Sequence, residues 1–298
     1  MRKKVIFICM IFTMSIIAFS AEASPKRIIS LSPVGTEILY DLGQEKNIVG
    51  VTTFCDYPPA ARKKPKVGGY AGLNLETLIA RKIDLLILSD IHMSFTPQLD
   101  KLGIKYAVIH QDNINDAYKS IEAVGAACGQ KKRAEAMVKK LKTDIGAITN
   151  KTRGLKRPKV VLSVSRELSD PHITMFYSAG RRTFYNDLIE MAGGENAVTT
   201  TRSMYQRVSQ EGLIQLDPDV IIDIVGERTF YHATGPIDVN KIFNKKYLTK
   251  QWLECRDVKA AKNGRVYVLD GTVYLRPGPR MAVILKSFAK AIHPEIKF

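Results

Sequence analysis

Sliding the 298-residue chain against itself produces an echo at an offset of 135 residues. Asn74-Leu75-Glu76-Thr77-Leu78-Ile79 leads to Asp84 and the apolar run Leu85-Leu86-Ile87-Leu88. Ser209-Gln210-Glu211-Gly212-Leu213-Ile214 leads, at the same spacing, to Asp219 and Val220-Ile221-Ile222. A helix-then-strand unit used twice constrains the chain to two similar lobes. Further upstream, Leu42-Gly43 with Glu45 and Asn47 before Ile48-Val49 is loosely matched by Gly193-Gly194-Glu195-Asn196 before Ala197-Val198.

Around the echo, short β-branched runs alternate with helix-length amphipathic stretches, the pattern of parallel sheets covered by helices. Strands are predicted over 27–32, 47–52, 84–89, 105–109, 159–165, 219–225 and 265–269. The continuously apolar ones predict burial on both faces. Between the halves, residues 131–152 are rich in Lys and Ala, lack proline, and carry Ala134, Val138, Leu141, Ile145 and Ile148 at helical spacing, with Gly154 and Pro158 beyond. The expected organisation is an α/β protein of two lobes, 24–130 and 154–298, bridged by one long helix over 131–153. A single stiff helix of roughly 30 Å predicts only a modest opening between the lobes.

Arg2, Lys3 and Lys4, an apolar run from Val5 to Phe19, and Ala21-Glu22-Ala23 read as a cleavable export signal over residues 1–23. Ser24, where a lipoprotein needs cysteine, predicts a freely diffusing product. The 275 residues after the leader suffice for two domains. Their formal charge of +14, which is the chain's +16 without three cations and one anion, is spread over helix faces as lysines. Without interleaved aromatics, that spread reads as a solvated surface rather than a nucleic-acid site. Cys55, Cys128 and Cys255 are an odd set in an oxidising compartment, so at most one internal disulfide is expected, and none has metal-cluster spacing. The five histidines include no i, i+4 pair, which disfavours a dedicated zinc or manganese site. No nucleophile elbow, P-loop or dinucleotide fingerprint is present in the sequence, and no catalytic residue is assigned.

Candidate binding residues gather on segments predicted to follow strands, the edge of an open α/β sheet that ligands favour. Ser32-Pro33-Val34-Gly35-Thr36-Glu37 is expected to start a helix there, either offering backbone amides to an anion or carbonyl or simply capped by Ser32 or Thr36. Phe54 and Tyr57, in Phe54-Cys55-Asp56-Tyr57-Pro58-Pro59, and Tyr70, after two glycines, supply flat aromatic faces suited to a large planar ligand. Tyr177, Arg228 and Arg276 are placed on the facing wall. Arg276 is a candidate partner for phosphate, carboxylate or amide oxygens, and Arg280 is either the same or a local helix cap.

Arg27-Ile28-Ile29-Ser30-Leu31-Ser32-Pro33 with Thr36-Glu37, Asp56-Tyr57-Pro58-Pro59, Gly72-Leu73-Asn74-Leu75-Glu76 and Gly193-Gly194-Glu195-Asn196 resemble, in order, the motifs of the periplasmic vitamin B12 and ferric siderophore receptors of ABC importers. The resemblance covers essentially the whole chain after the leader. It implies two Rossmann-like lobes in the class III arrangement, a monomer working in the periplasm, and no catalysis. It further implies a corrinoid, cobalamin, as ligand, and an importer made of a permease dimer with its ATPase as partner. In the resemblance, Glu76 and Glu211 dock one lobe each onto permease arginines. Haem is the second ligand and ferric siderophore the third, because Tyr70 stands where the B12 receptors have tryptophan and near where haem receptors hold iron with tyrosine. His92 is then either an axial ligand to the ligand's metal or a solvent-facing loop histidine.

Overall fold

The computed structural model describes residues 25–69, 75–168, 170–199, 203–226 and 244–298. The expected leader, Tyr70 and Arg228 lie outside them.

In the first lobe, β1 (Ile28–Ser30), α1 (Pro33–Asp41), β2 (Ile48–Val51), α2 (Leu75–Ala80), β3 (Leu85–Ser89), α3 (Thr96–Lys101), β4 (Lys105–Ile109) and α4 (Ile114–Ala127) alternate strand and helix. Their parallel sheet has the order β2-β1-β3-β4. All five residues of β3 are buried, as expected of an internal parallel strand. Ser32 caps α1, its hydroxyl accepting the Gly35 amide, and Pro33 opens the helix.

Helix α5 (Lys131–Thr152) then leads to the second lobe. This contains β5 (Lys159–Arg166), β6 (Met175–Ala179), α6 (Phe184–Met191), β7 (Glu195–Asn196), β8 (Tyr205–Ser209), α7 (Gln210–Leu216), β9 (Val220–Val225), α8 (Lys245–Leu253), α9 (Lys259–Lys262), β10 (Val266–Asp270) and α10 (Met281–Ile292). The sheet runs β10-β9-β5-β6-β8, with β7 beside the start of β5. β6 is antiparallel to both its neighbours, so Tyr177 stands within a strand rather than on the loop the sequence predicts.

The echo is structural as well as textual. α2 and β3 in one lobe correspond to α7 and β9 in the other. Lys82 (φ 48°) and Asp217 (φ 40°), 135 residues apart, both take the left-handed conformation between helix and strand. Asp84 Oδ2 accepts the Arg27 amide at 3.0 Å at the start of β1. Asp219 Oδ2 accepts the Lys159 amide at 2.9 Å at the start of β5.

The five apolar residues expected on the linking helix are all buried. They belong to one hydrophobic cluster that includes Val34, Ile38 and Ile121 of the first lobe and Leu188, Ile284 and Phe288 of the second. The lobes therefore share a core across α5. Gly193 shows how tightly the far end is packed. It ends α6 at φ 80°, and a Cβ there would lie 2.7 Å from His293 Nε2 and 3.0 Å from Thr152 Cβ at the end of α5. No described helix is long and apolar enough to cross a membrane.

Candidate ligand site between the lobes

The carboxyl ends of β1, β2 and β3 deliver the first-lobe residues, and the loop after β2 is the richest of them. It is fastened beside β2 by hydrogen bonds from Val51 N to Pro65 O (2.9 Å) and from Thr53 N to Gly68 O (3.1 Å). Phe54 is half-buried there. Tyr57 remains 40% exposed and is joined to Pro58 by a cis peptide bond.

A buried ionic junction spans the two lobes beside this loop. Glu37, in α1, and Asp56 come from the first lobe; Arg276 and Arg280, between β10 and α10, come from the second. Arg280 Nε donates to Glu37 Oε2 at 2.8 Å and its Nη2 to Oε1. Arg276 Nη1 donates to Asp56 Oδ1 and, at 3.4 Å, to Glu37 Oε1, while its Nη2 donates to the Phe54 carbonyl at 2.9 Å. Thr272 Oγ1 adds a bond to Asp56 Oδ2 at 3.3 Å. Two carboxylates face two guanidinium groups, so the junction is charge-balanced and each carboxylate has an arginine partner, the condition for keeping ions out of water.

Arg276, expected on the ligand-facing wall, is instead only 8% exposed at its side chain and committed to three partners of the opposite lobe. Arg280 is the N-cap residue of α10 by position, but its side chain makes no cap bond and reaches instead a carboxylate 243 residues away. The start of α1 takes the second of its two expected forms. Ser32, Pro33, Val34 and Gly35 are buried and the Ser32 hydroxyl takes the Gly35 amide, so this terminus is a capped structural one.

His92 is likewise corrected. It is fully buried, and its Nδ1 accepts the Ser89 amide at 3.2 Å in a capping box. It is neither a solvent-facing loop residue nor a surface offered to a ligand's metal. Tyr177 stays accessible, 41% exposed on β6 opposite Arg207 of β8. Among the described residues no group of three or more His, Cys, Asp and Glu is disposed to hold a metal ion. Cys55, Cys128 and Cys255 are all free and buried.

Glu76 and Glu211 are exposed in the first turns of α2 and α7. Glu211 has its carboxyl held below the usual glutamate range by its own backbone amide and then by the Ser209 hydroxyl.

Sequence reasoning missed Glu37 and Asp187 as junction residues. Asp187, in the first turn of α6, accepts the amide of Ile114 at 3.0 Å, so a carboxylate of the second lobe caps the α4 start in the first. One signal for Glu37 was available: it falls on the apolar stripe of α1 with Val34 and Ile38, where an acid needs a buried cation.

Residues 28–273 match the family model described as periplasmic binding protein. The uncharacterized ABC transporter substrate-binding lipoprotein YvrC of Bacillus subtilis is 32% identical over 280 residues, 92% of this chain and 82% of that one. The vitamin B12-binding protein of Vibrio vulnificus is 26% identical over 270 residues, 90% of each chain. A solved structure titled as a possible iron-binding, periplasmic solute-binding protein from Staphylococcus epidermidis is 29% identical with a TM-score of 0.71, covering 91% of this chain and 100% of that one. Two lobes, one bridging helix and a match that runs through both lobes give the class III form, and the chain belongs to the periplasmic binding protein family, the substrate-binding and non-enzymatic components of ABC transporters.

Proposed function

We propose that this protein is the receptor that carries a corrinoid, cobalamin, to an ABC importer. In this reading the signal over residues 1–23 is removed on export, and a monomer collects ligand in the periplasm. The ligand rests on Phe54, Tyr57 and Tyr70 of the first lobe and on the wall around Tyr177 and Arg228 of the second. The lobe boundaries of the reading are 24–130 and 154–298, with the helix between. The observation that carries the reading is the half-exposed aromatic loop at the carboxyl edge of the first sheet, in a chain similar over nine-tenths of its length to a vitamin B12-binding protein. Flat aromatic faces suit a large macrocycle. Arg276 and His92 are left out of the site because both are engaged elsewhere.

Offering the purified protein an equimolar mixture of cyanocobalamin, haemin and a ferric hydroxamate, and weighing the complex by native mass spectrometry, tests the choice of ligand. The corrinoid adduct is expected. A haem adduct that disappears in Y70A would replace the corrinoid reading with a haem receptor.

Delivery follows from Glu76 and Glu211, one carboxylate on each lobe, which suit two permease arginines and would fix the receptor's orientation more than its affinity. The double variant E76K/E211K is expected to abolish uptake of cyanocobalamin in a reconstituted importer while leaving its dissociation constant unchanged. Undiminished uptake would remove the docking assignment.

A further inference from the structure

The loop that carries Phe54 and Tyr57 belongs to the first lobe, yet it is gripped by side chains of the second. The Arg280 guanidinium lies over the Tyr57 ring, 3.7 Å from its centroid, well inside cation–π range. The same guanidinium is locked in place by a two-point grip on Glu37, whose side chain is only 2% exposed. Arg276 holds the loop's backbone through the Phe54 carbonyl and its side chain through Asp56, and Thr272 takes the other oxygen of Asp56. From its own lobe the loop receives Arg62 on the Asp56 carbonyl at 3.2 Å and Lys66 on the Cys55 carbonyl at 3.5 Å.

We infer that Arg280 and Arg276 are positioning residues for ligand capture: they set the face of Tyr57 and the path of residues 54–57, so that one lobe's aromatic wall is formed only when the other lobe is in register. The chemistry suits arginine and not lysine. A planar guanidinium can stack on a ring with its face while its edge donates two bonds to a carboxylate, whereas an ammonium does one or the other. Because Glu37 is itself buried in α1 and shared by both arginines, the grip is anchored to the first lobe's core and not to a mobile surface group. The functional half of this inference rests on the reading of Tyr57 as a ligand-facing residue; the positioning half does not.

Amide hydrogen exchange on the ligand-free full chain tests the positioning half. R280M is expected to speed exchange over residues 53–57 roughly tenfold by local opening, the loss of about one stacked, charge-assisted contact, over and above the global destabilisation that β3 and β9 report. R280K, which keeps the charge but loses the fork, falls between, and it decides the matter should R280M not fold. Unchanged exchange over 53–57 in the folded variants overturns the inference. A double-mutant cycle of Y57A and R280M on cyanocobalamin affinity tests the rest. Losses smaller together than their sum are expected, since Arg280 acts through Tyr57; additive losses overturn the inference and leave Tyr57 as a ligand contact. If Y57A leaves affinity unaltered while R280M still loosens the loop, the positioning stands and it is the ligand-facing reading that fails.

Discussion

Glu37 occupies the buried stripe of α1, at the spacing where Val34 and Ile38 place apolar side chains, and it meets two guanidinium groups there. Removing one partner of such a cluster strands the others out of water, at a cost of about 3–5 kcal/mol. E37A is therefore expected to lose stability of that order in urea unfolding, and a change under about 1 kcal/mol would mark the junction as solvated. The thiols give a second residue-level expectation. Cys55, Cys128 and Cys255 are free and buried, and burial pushes the Cys128 thiol up to about 12. A thiol that holds its proton and lies away from solvent is inert to disulfide reagents. None of the three should react with Ellman's reagent in the native protein, and all three should in urea. Rapid native reaction of any of them would contradict the packing described for it.

At the scale of elements, two helix starts are tied to the opposite lobe: α4 begins at Ile114, whose amide is taken by a carboxylate of the second lobe, and α10 begins directly after Arg280, which is paired with Glu37 of α1. Asp187 is the clearest instance, one lobe's carboxylate on the other lobe's α4. Burial raises its carboxyl above the usual aspartate range, more than the Ile114 amide lowers it. The folded state therefore binds more protons than the unfolded one between the ordinary value and the raised one. Stability from this group falls as pH rises through that window. D187N keeps an oxygen for the Ile114 amide, so its urea midpoint should lack that component of the slope, which an identical pH profile for the two proteins would refute. Much of the element list was legible beforehand. Seven strands and the linking helix follow from local periodicity, because each is apolar enough to announce burial on its own. β6 and β8 were not, since Met175–Ala179 and Tyr205–Ser209 become strands by pairing with each other across the chain, and Tyr205-Gln206-Arg207 is as polar as a loop. The site divides the same way. The aromatic loop is a local motif, while the destinations of Arg276 and Arg280 depend on partners 220 and 243 residues away, which no local pattern encodes.

Across the whole molecule, the apolar cluster that passes from one lobe through α5 into the other, with the ionic junction beside it, limits how far the lobes can part. A protein with two independent cores and a flexible hinge would open widely; one with a shared core would have to break it. Spin labels placed on α3 and α8, one in each lobe, should therefore report distances that change by only a few ångströms, about the scale of packed-element shifts, when cyanocobalamin is added. A change several times larger would show that the junction opens. The charge of the whole chain, +16, bears on solubility more than on ligand choice. The most direct test of the account is a calorimetric titration of the protein with cyanocobalamin. The account predicts tight binding of one cobalamin per chain that is weakened in Y57A. An absence of heat with cyanocobalamin, together with tight uptake of haemin, would contradict it.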